Sequence, residues 1–121
     1  MDTATTIAER YIAVWNETDA ERRRHLIAKT FTEDGSYVDP LWTAGGHAEI
    51  DGMVAAVHGR FPGFRFALTG PADGYGERLR FSWKLGPADN DDMIQGTDFA
   101  VVVDGRLKTV VGFLDKLPAA A

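Results

Sequence analysis

Tyr11, Asp39 and Asp98 are polar residues that the sequence sets on faces or at chain positions otherwise given to apolar packing. Tyr11 shares a stripe of helical period with Ile7, Val14 and Trp15. Asp39 precedes Pro40, which drives it into the extended region and ends regular pairing, so it stands at the end of a strand. Asp98 lies inside a strand from about Met93 to Val103, on the same side as Ile94, Ala100 and Val102. An unpartnered carboxylate there is costly, so Asp98 is protonated, hydrogen-bonded or at a wet cavity. Two carboxylates in an apolar wall open the way to proton-transfer chemistry. Each residue also has a purely structural reading. Tyr11 can be a core tyrosine with a satisfied hydroxyl, and Asp39 can anchor the loop Pro40-Leu41-Trp42. Asp98 can pair with Arg78, Arg80 or Gln95 across strands.

Other chemistries find little support. The chain has no cysteine, hence no thiolate or disulfide, which suits a cytosolic protein. His25, His47 and His58 lie apart and form no zinc pair at helical spacing, so no metal site is expected; His47 reads as a helix-start residue. Gly45-Gly46 and Gly74-Tyr75-Gly76 lack the strand-to-helix setting of a phosphate loop, and no Ser-His-Asp order suggests a nucleophile. The net charge of −5 argues against a nucleic-acid partner, and Arg22-Arg23-Arg24 reads as a solvated helix face among Glu17, Asp19 and Glu21. No apolar run is long enough to span a membrane, and Met1 to Thr6 carries no signal-peptide pattern. With 121 residues, 45% hydrophobic and 26% charged, the chain is expected to form one domain over 1–121.

The elements that must position the three residues follow from periodicity. A first helix carries Tyr11, with a capping box at Thr6 and Glu9 and further N-cap candidates at Asp2, Thr3 and Thr5. A second is expected from about Ala20 to Ala28, with a capping box at Thr18 and Glu21, burying Leu26 and Ile27. Asp34-Gly35 reads as a turn before a strand at Tyr37-Val38. A third helix follows Gly45-Gly46, with Ile50, Met53, Val54, Val57 and Phe61 on one stripe, and Pro62-Gly63 stops it. Beyond Phe64 the period becomes two. Phe64, Phe66 and Leu68 alternate with polar or small residues, as do Leu79, Phe81, Trp83 and Leu85. The last strands, Met93 to Val103 and Leu107 to Lys116, flank the hairpin signal Asp104-Gly105. Val101-Val102-Val103 and Val110-Val111 are apolar on both faces, which predicts a homodimer through the outer face. The tail Pro118 to Ala121 is expected to fray. This order predicts an α+β domain in which a curved antiparallel sheet wraps N-terminal helices and leaves a conical cavity.

The strings Tyr11-Ile12-Ala13-Val14-Trp15-Asn16, Phe31-Thr32-Glu33-Asp34-Gly35, Val38-Asp39-Pro40, Gly46-His47-Ala48-Glu49-Ile50 and Asp98-Phe99, in this order, resemble the nuclear-transport-factor-2-like superfamily. The resemblance covers essentially the whole chain and implies a cone-shaped, cystatin-like α+β barrel. Members include SnoaL-like polyketide cyclases, ketosteroid isomerases, scytalone dehydratase, limonene epoxide hydrolase and non-enzymatic binders. The residues are most similar to ketosteroid isomerase, the known case of a carboxylic acid kept neutral so that it can donate a hydrogen bond. By that resemblance Asp39 is the proton-shuttling base, while Tyr11 and a protonated Asp98 hold the enolate oxygen. The family's second tyrosine would fall near Val54. The epoxide-hydrolase pattern Arg-x-Asp is not met, because Arg80-Phe81 is followed by Ser82.

The function expected is therefore a pocket protein for a small hydrophobic ligand or substrate. It is a cofactor-independent isomerase, cyclase or dehydratase acting on a carbonyl compound, or a binding or accessory domain without chemistry; the remaining reading is a structural dimeric domain whose cavity is filled by its own tryptophans. Beside the three polar residues, the pocket wall is expected from Trp15, Tyr37, Trp42, Met53, Val57, Phe66, Trp83 and Phe113. These aromatics predict a pocket smaller than a steroid isomerase's.

Overall fold

The computed structural model describes residues 3–118; the N-cap candidate Asp2 and the tail residues Ala119 to Ala121 lie outside the described residues. Helix α1 (Ala4–Asn16) is capped by Thr3, one of the expected candidates, whose hydroxyl accepts the Thr6 amide at 3.1 Å; the Thr6–Glu9 box is not the cap. Helix α2 (Ala20–Thr30) is capped by Asp19, which accepts from the Arg22 amide at 2.9 Å, in place of Thr18. An aspartate so placed also complements the positive end of the helix dipole. Helix α3 (His47–Arg60) starts after Gly46, whose φ of 84° only glycine adopts readily, and ends at Phe61 before Pro62.

Seven strands follow or intervene: β1 (Phe31–Val38), β2 (Thr43–Gly45), β3 (Arg65–Leu68), β4 (Asp73–Tyr75), β5 (Arg78–Gly86), β6 (Ile94–Val103) and β7 (Arg106–Lys116). They form one sheet in the order β2-β1-β7-β6-β5-β3, with β4 also on β5. Three helices with this sheet make an α+β fold, as expected. Two features differ from the expected barrel. The sheet is mixed, because β1 runs parallel to β7, and it remains open between β2 and β3. Sequence alternation reports which side a residue faces, but not which distant strand lies beside it.

Asp34-Gly35 is not a turn. It sits in a bulge of β1, where the register against β7 shifts between Phe31 and Ser36, and Gly35 packs on Phe31. At the β6–β7 hairpin, Asp104 (φ 51°) and Gly105 (φ 79°) both take the left-handed conformation that a tight two-residue turn requires. The core lies between the helices and the inner sheet face, centred on Tyr11, Val14, Ile27, Phe31, Ile50, Val54, Leu107 and Val110. Arg23 enters it from α2 as one half of an ion pair, its Nε donating to Asp51 on α3 at 2.6 Å. Among the described residues, no helix is long and apolar enough to cross a membrane.

Candidate active site

Helix α1 buries Tyr11 to 2% exposure, with ring centroids 5.1 Å from Phe81 and 6.1 Å from Phe31. Strand β6 buries Asp98 to 1%, on the inner face, between Phe81 of β5 and Gly112 of β7. The cross-strand partners considered for it point elsewhere. Arg80 pairs with Asp73 on the outer face at 3.1 Å, Arg78 is exposed, and Gln95 has the opposite parity along β6. Among the described residues, neither oxygen of Asp98 has a hydrogen-bond partner. Removal from water therefore pushes its carboxyl up to about 6. Tyr11 and Trp83, the donors that oppose this rise, approach without closing a hydrogen bond, and the charges of Asp39 and Asp115 add to it. Burial also holds the Tyr11 hydroxyl well above the ordinary range, reinforced by the charge of Asp98.

Asp39 is occupied differently. Its Oδ1 accepts the amides of Leu41 and Trp42, both at 2.7 Å, and the Asp39 amide donates to Trp42 O at 2.9 Å. The carboxylate thus closes the Pro40-Leu41-Trp42 loop as an Asx-type turn. Its Oδ2 accepts from the Tyr37 hydroxyl. Burial is the main cause that drives the Tyr37 hydroxyl far above its ordinary value, with the charge of Asp98 next.

Gly112 is where these groups meet. A Cβ built on it would stand 2.8 Å from Asp98 Oδ1, 3.2 Å from the Tyr37 hydroxyl and 3.2 Å from Asp39 Cβ. Asp98, Asp39 and Tyr37 thus surround one vacancy left by a missing side chain. The sequence carried a signal for it, since a glycine inside the apolar run Val110-Val111-Gly112-Phe113 marks a close approach.

Beside this cluster is a pocket of about 80 Å³. Trp15, Tyr37, Trp42, Val57, Phe66 and Trp83 line it together with Tyr11 and Asp39. Three residues expected in the wall lie elsewhere. Asp98 is buried against Gly112, behind Tyr37 and Asp39, and is not part of the lining. Met53 is buried in the core one helical turn before Val57, and Phe113 points outward, 54% exposed, with its ring 5.8 Å from that of Phe99. Phe113 follows inward-facing Gly112 on β7, so alternation puts it on the opposite face. The wall also includes Leu41, Phe61, Leu85, Ile94, Leu114 and Leu117. Leu41 and Leu117 come from loop and tail, where periodicity gives no signal. A separate groove of about 550 Å³ runs over the outer sheet face beside Tyr75, Arg78, Phe99 and Val111.

The histidines serve the backbone. His47 Nε2 faces the carbonyls of Phe31 and Thr32 at 3.1 and 2.9 Å, and His58 Nε2 donates to Trp15 O at 2.6 Å. Among the described residues, no three His, Asp or Glu side chains are grouped as a metal ion would require.

Helices stacked on an open mixed sheet, with a small pocket between them, make this a fold of the nuclear-transport-factor-2-like superfamily. The chain belongs to the SnoaL-like family. It is 47% identical to a structure from Agrobacterium tumefaciens provisionally named an isomerase of that family, over 94% of this chain and 99% of the other, with a TM-score of 0.88. Two more distant structures share the fold alone. One is a Kribbella flavida protein provisionally named a ketosteroid isomerase (21% identity, 98% of this chain and 82% of the other, TM-score 0.70). The other, from Jannaschia, is provisionally named a SnoaL-like polyketide cyclase (12% identity, 95% and 90%, TM-score 0.69). No family profile matches the sequence, and no curated protein matches it.

Proposed function

We propose that this protein is a cofactor-independent enzyme that moves a proton beside the carbonyl of a small hydrophobic compound, as an isomerase, cyclase or dehydratase does. One observation carries the reading: Asp98 is buried with its two oxygens unpartnered among the described residues and its carboxyl raised to about 6, and across Gly112 it adjoins Tyr37 and Asp39, two residues of the pocket wall. A general base works best when its pKa lies near the working pH, and it needs free lone pairs.

The family resemblance gives the shuttling role to Asp39. The geometry favours Asp98, because three donors already occupy the oxygens of Asp39. In this reading ionised Asp98 takes the proton from the carbon next to the carbonyl. The C–H electrons form the C=C bond of an enolate, and the carbonyl π electrons move to its oxygen. The Tyr11 hydroxyl donates to that oxygen, and Asp98 returns the proton to the same carbon or to a conjugated one. Asp39 and Tyr37 hold the loop and the wall in place.

A direct test is exchange of the protons next to the carbonyl of cyclohex-3-enone for deuterium in heavy water, followed by NMR. Catalysed exchange that disappears in Asp98→Asn supports the reading. Exchange at the uncatalysed rate with wild type, while the ketone binds, supports a binding domain without chemistry, which the small pocket volume also accommodates.

The exposed Phe99, Val111 and Phe113 on the outer sheet face support a homodimer through that face. Burying such side chains against a second copy removes apolar surface from water.

A further inference from the structure

The pocket of about 80 Å³ is small for its family of chemistries. A cavity of roughly 150 Å³ is what one benzene ring occupies, and drug-sized ligands fill roughly 300–1,000 Å³. The missing space is taken by a continuous belt of rings. Tyr37 meets Trp15 with centroids 5.7 Å apart, Trp15 meets Phe66 at 5.1 Å, and Phe66 meets Trp83 at 5.4 Å.

This belt is fixed from behind. Both polar atoms of the Asn16 amide clamp the Phe66 backbone, Oδ1 accepting its N–H at 2.8 Å and Nδ2 donating to its carbonyl at 2.9 Å. Trp83 lies flat over Gly96, its cross-strand neighbour, where a Cβ would stand 2.3 Å from the indole. Close-packed interiors held this way give little room for a larger guest. The opposite wall is different. Leu41 is 69% exposed and Leu117 is 54% exposed, so both can swing outward at small cost.

We infer that the ligand is a compact carbonyl compound of one ring or similar size, packed against the belt with its oxygen toward Tyr11, and that Phe66 and Trp83 exclude fused-ring compounds. The orientation of the oxygen rests on the proton-transfer reading; the size limit does not. The mouth formed by Leu41 and Leu117 yields enough for one ring, whereas a second ring meets Phe66.

The test is equilibrium binding, read by tryptophan fluorescence and by NMR shifts of the ligand. The probes are cyclohex-2-enone, the two-ring ketone 1-decalone, and the four-ring 4-androstene-3,17-dione. Wild type is expected to bind cyclohexenone saturably, 1-decalone at least ten-fold more weakly, and the steroid not at all up to its solubility limit. Phe66→Ala is expected to bring 1-decalone to within about three-fold of cyclohexenone. Should that variant fail to fold, Phe66→Leu keeps the packing and is expected to narrow the gap part of the way. Wild-type binding of the steroid as tightly as of the one-ring ketone overturns the inference, as does saturable binding of none of the three. Failure of the proton-transfer reading shows itself differently, as cyclohexenone that binds but undergoes no catalysed exchange.

Discussion

Gly112 stands directly across the β6–β7 ladder from Asp98, and a Cβ on it would come within 2.8 Å of Asp98 Oδ1. The bare backbone of β7 leaves room on the inner face for the buried Asp98 carboxylate, whose oxygens have no partner among the described residues. Tyr37 and Asp39 border the same vacancy, so one missing side chain shapes the polar end of the pocket.

Gly112→Ala therefore forces Asp98 or Tyr37 to move. Overpacking of a close-packed site costs about 1–3 kcal/mol, and a loss in that range is expected in denaturant melts. Tryptophan fluorescence of the ligand titration should weaken in parallel. An alanine variant with unchanged stability and unchanged binding would show that the vacancy has no role.

Asp98 makes stability depend on pH in a defined direction. Its carboxyl is raised from the unfolded value of 3.8 to about 6 in the fold. Between these values the folded chain holds a proton that the unfolded chain has released, so stability falls as pH rises through about 6. At roughly 1.4 kcal/mol per pKa unit, the loss on going from pH 4 to pH 8 is of the order of 3 kcal/mol. Asp98→Asn removes this dependence and is expected to be about 1–3 kcal/mol more stable than wild type at pH 8, but not at pH 4. Chemical denaturation at the two pH values checks it; a variant destabilised at pH 8 would mean the carboxylate is paired.

Tyr37→Phe leaves one oxygen of Asp39 without its donor. Loss of a hydrogen bond to a charged group is expected to cost about 1.5–3 kcal/mol. Because Asp39 Oδ1 also closes the loop carrying Leu41 and Trp42, faster amide exchange is expected at those two residues. Unaltered exchange there would separate Tyr37 from the loop.

Val111→Glu places a charge in the middle of the exposed outer face beside Phe99 and Phe113. Sedimentation should show wild type as a dimer at micromolar concentration and the variant as a monomer with an unchanged fold. A monomeric wild type contradicts the proposed dimer.

The sequence makes local faces legible and leaves distant pairings hidden. The stripe through Tyr11 and the parity of Asp98 with Ile94 and Ala100 are period effects, and both side chains are buried on the side that periodicity predicts. The parallel pairing of β1 with β7 joins segments some seventy residues apart, and no local pattern encodes it. Phe113 faces outward although the expected wall includes it; β7 is apolar on both faces, so alternation carries no phase there, and the phase follows from Gly112. The occupation of Asp39 by its own loop and by Tyr37 depends on side-chain geometry that spacing alone does not give.

The central claim is that Asp98, and not Asp39, exchanges the proton. The most direct measurement is the pH profile of kcat/KM for deuterium exchange into cyclohex-3-enone by wild type, Asp98→Asn and Asp39→Asn. Wild type is expected to gain activity as pH rises through about 6, where Asp98 ionises. Asp98→Asn should lose about 10²–10⁴-fold, the usual contribution of a general base, while Asp39→Asn keeps the rise near pH 6 at reduced height. An Asp98→Asn enzyme that retains the profile, beside an inactive but folded Asp39→Asn, contradicts the account.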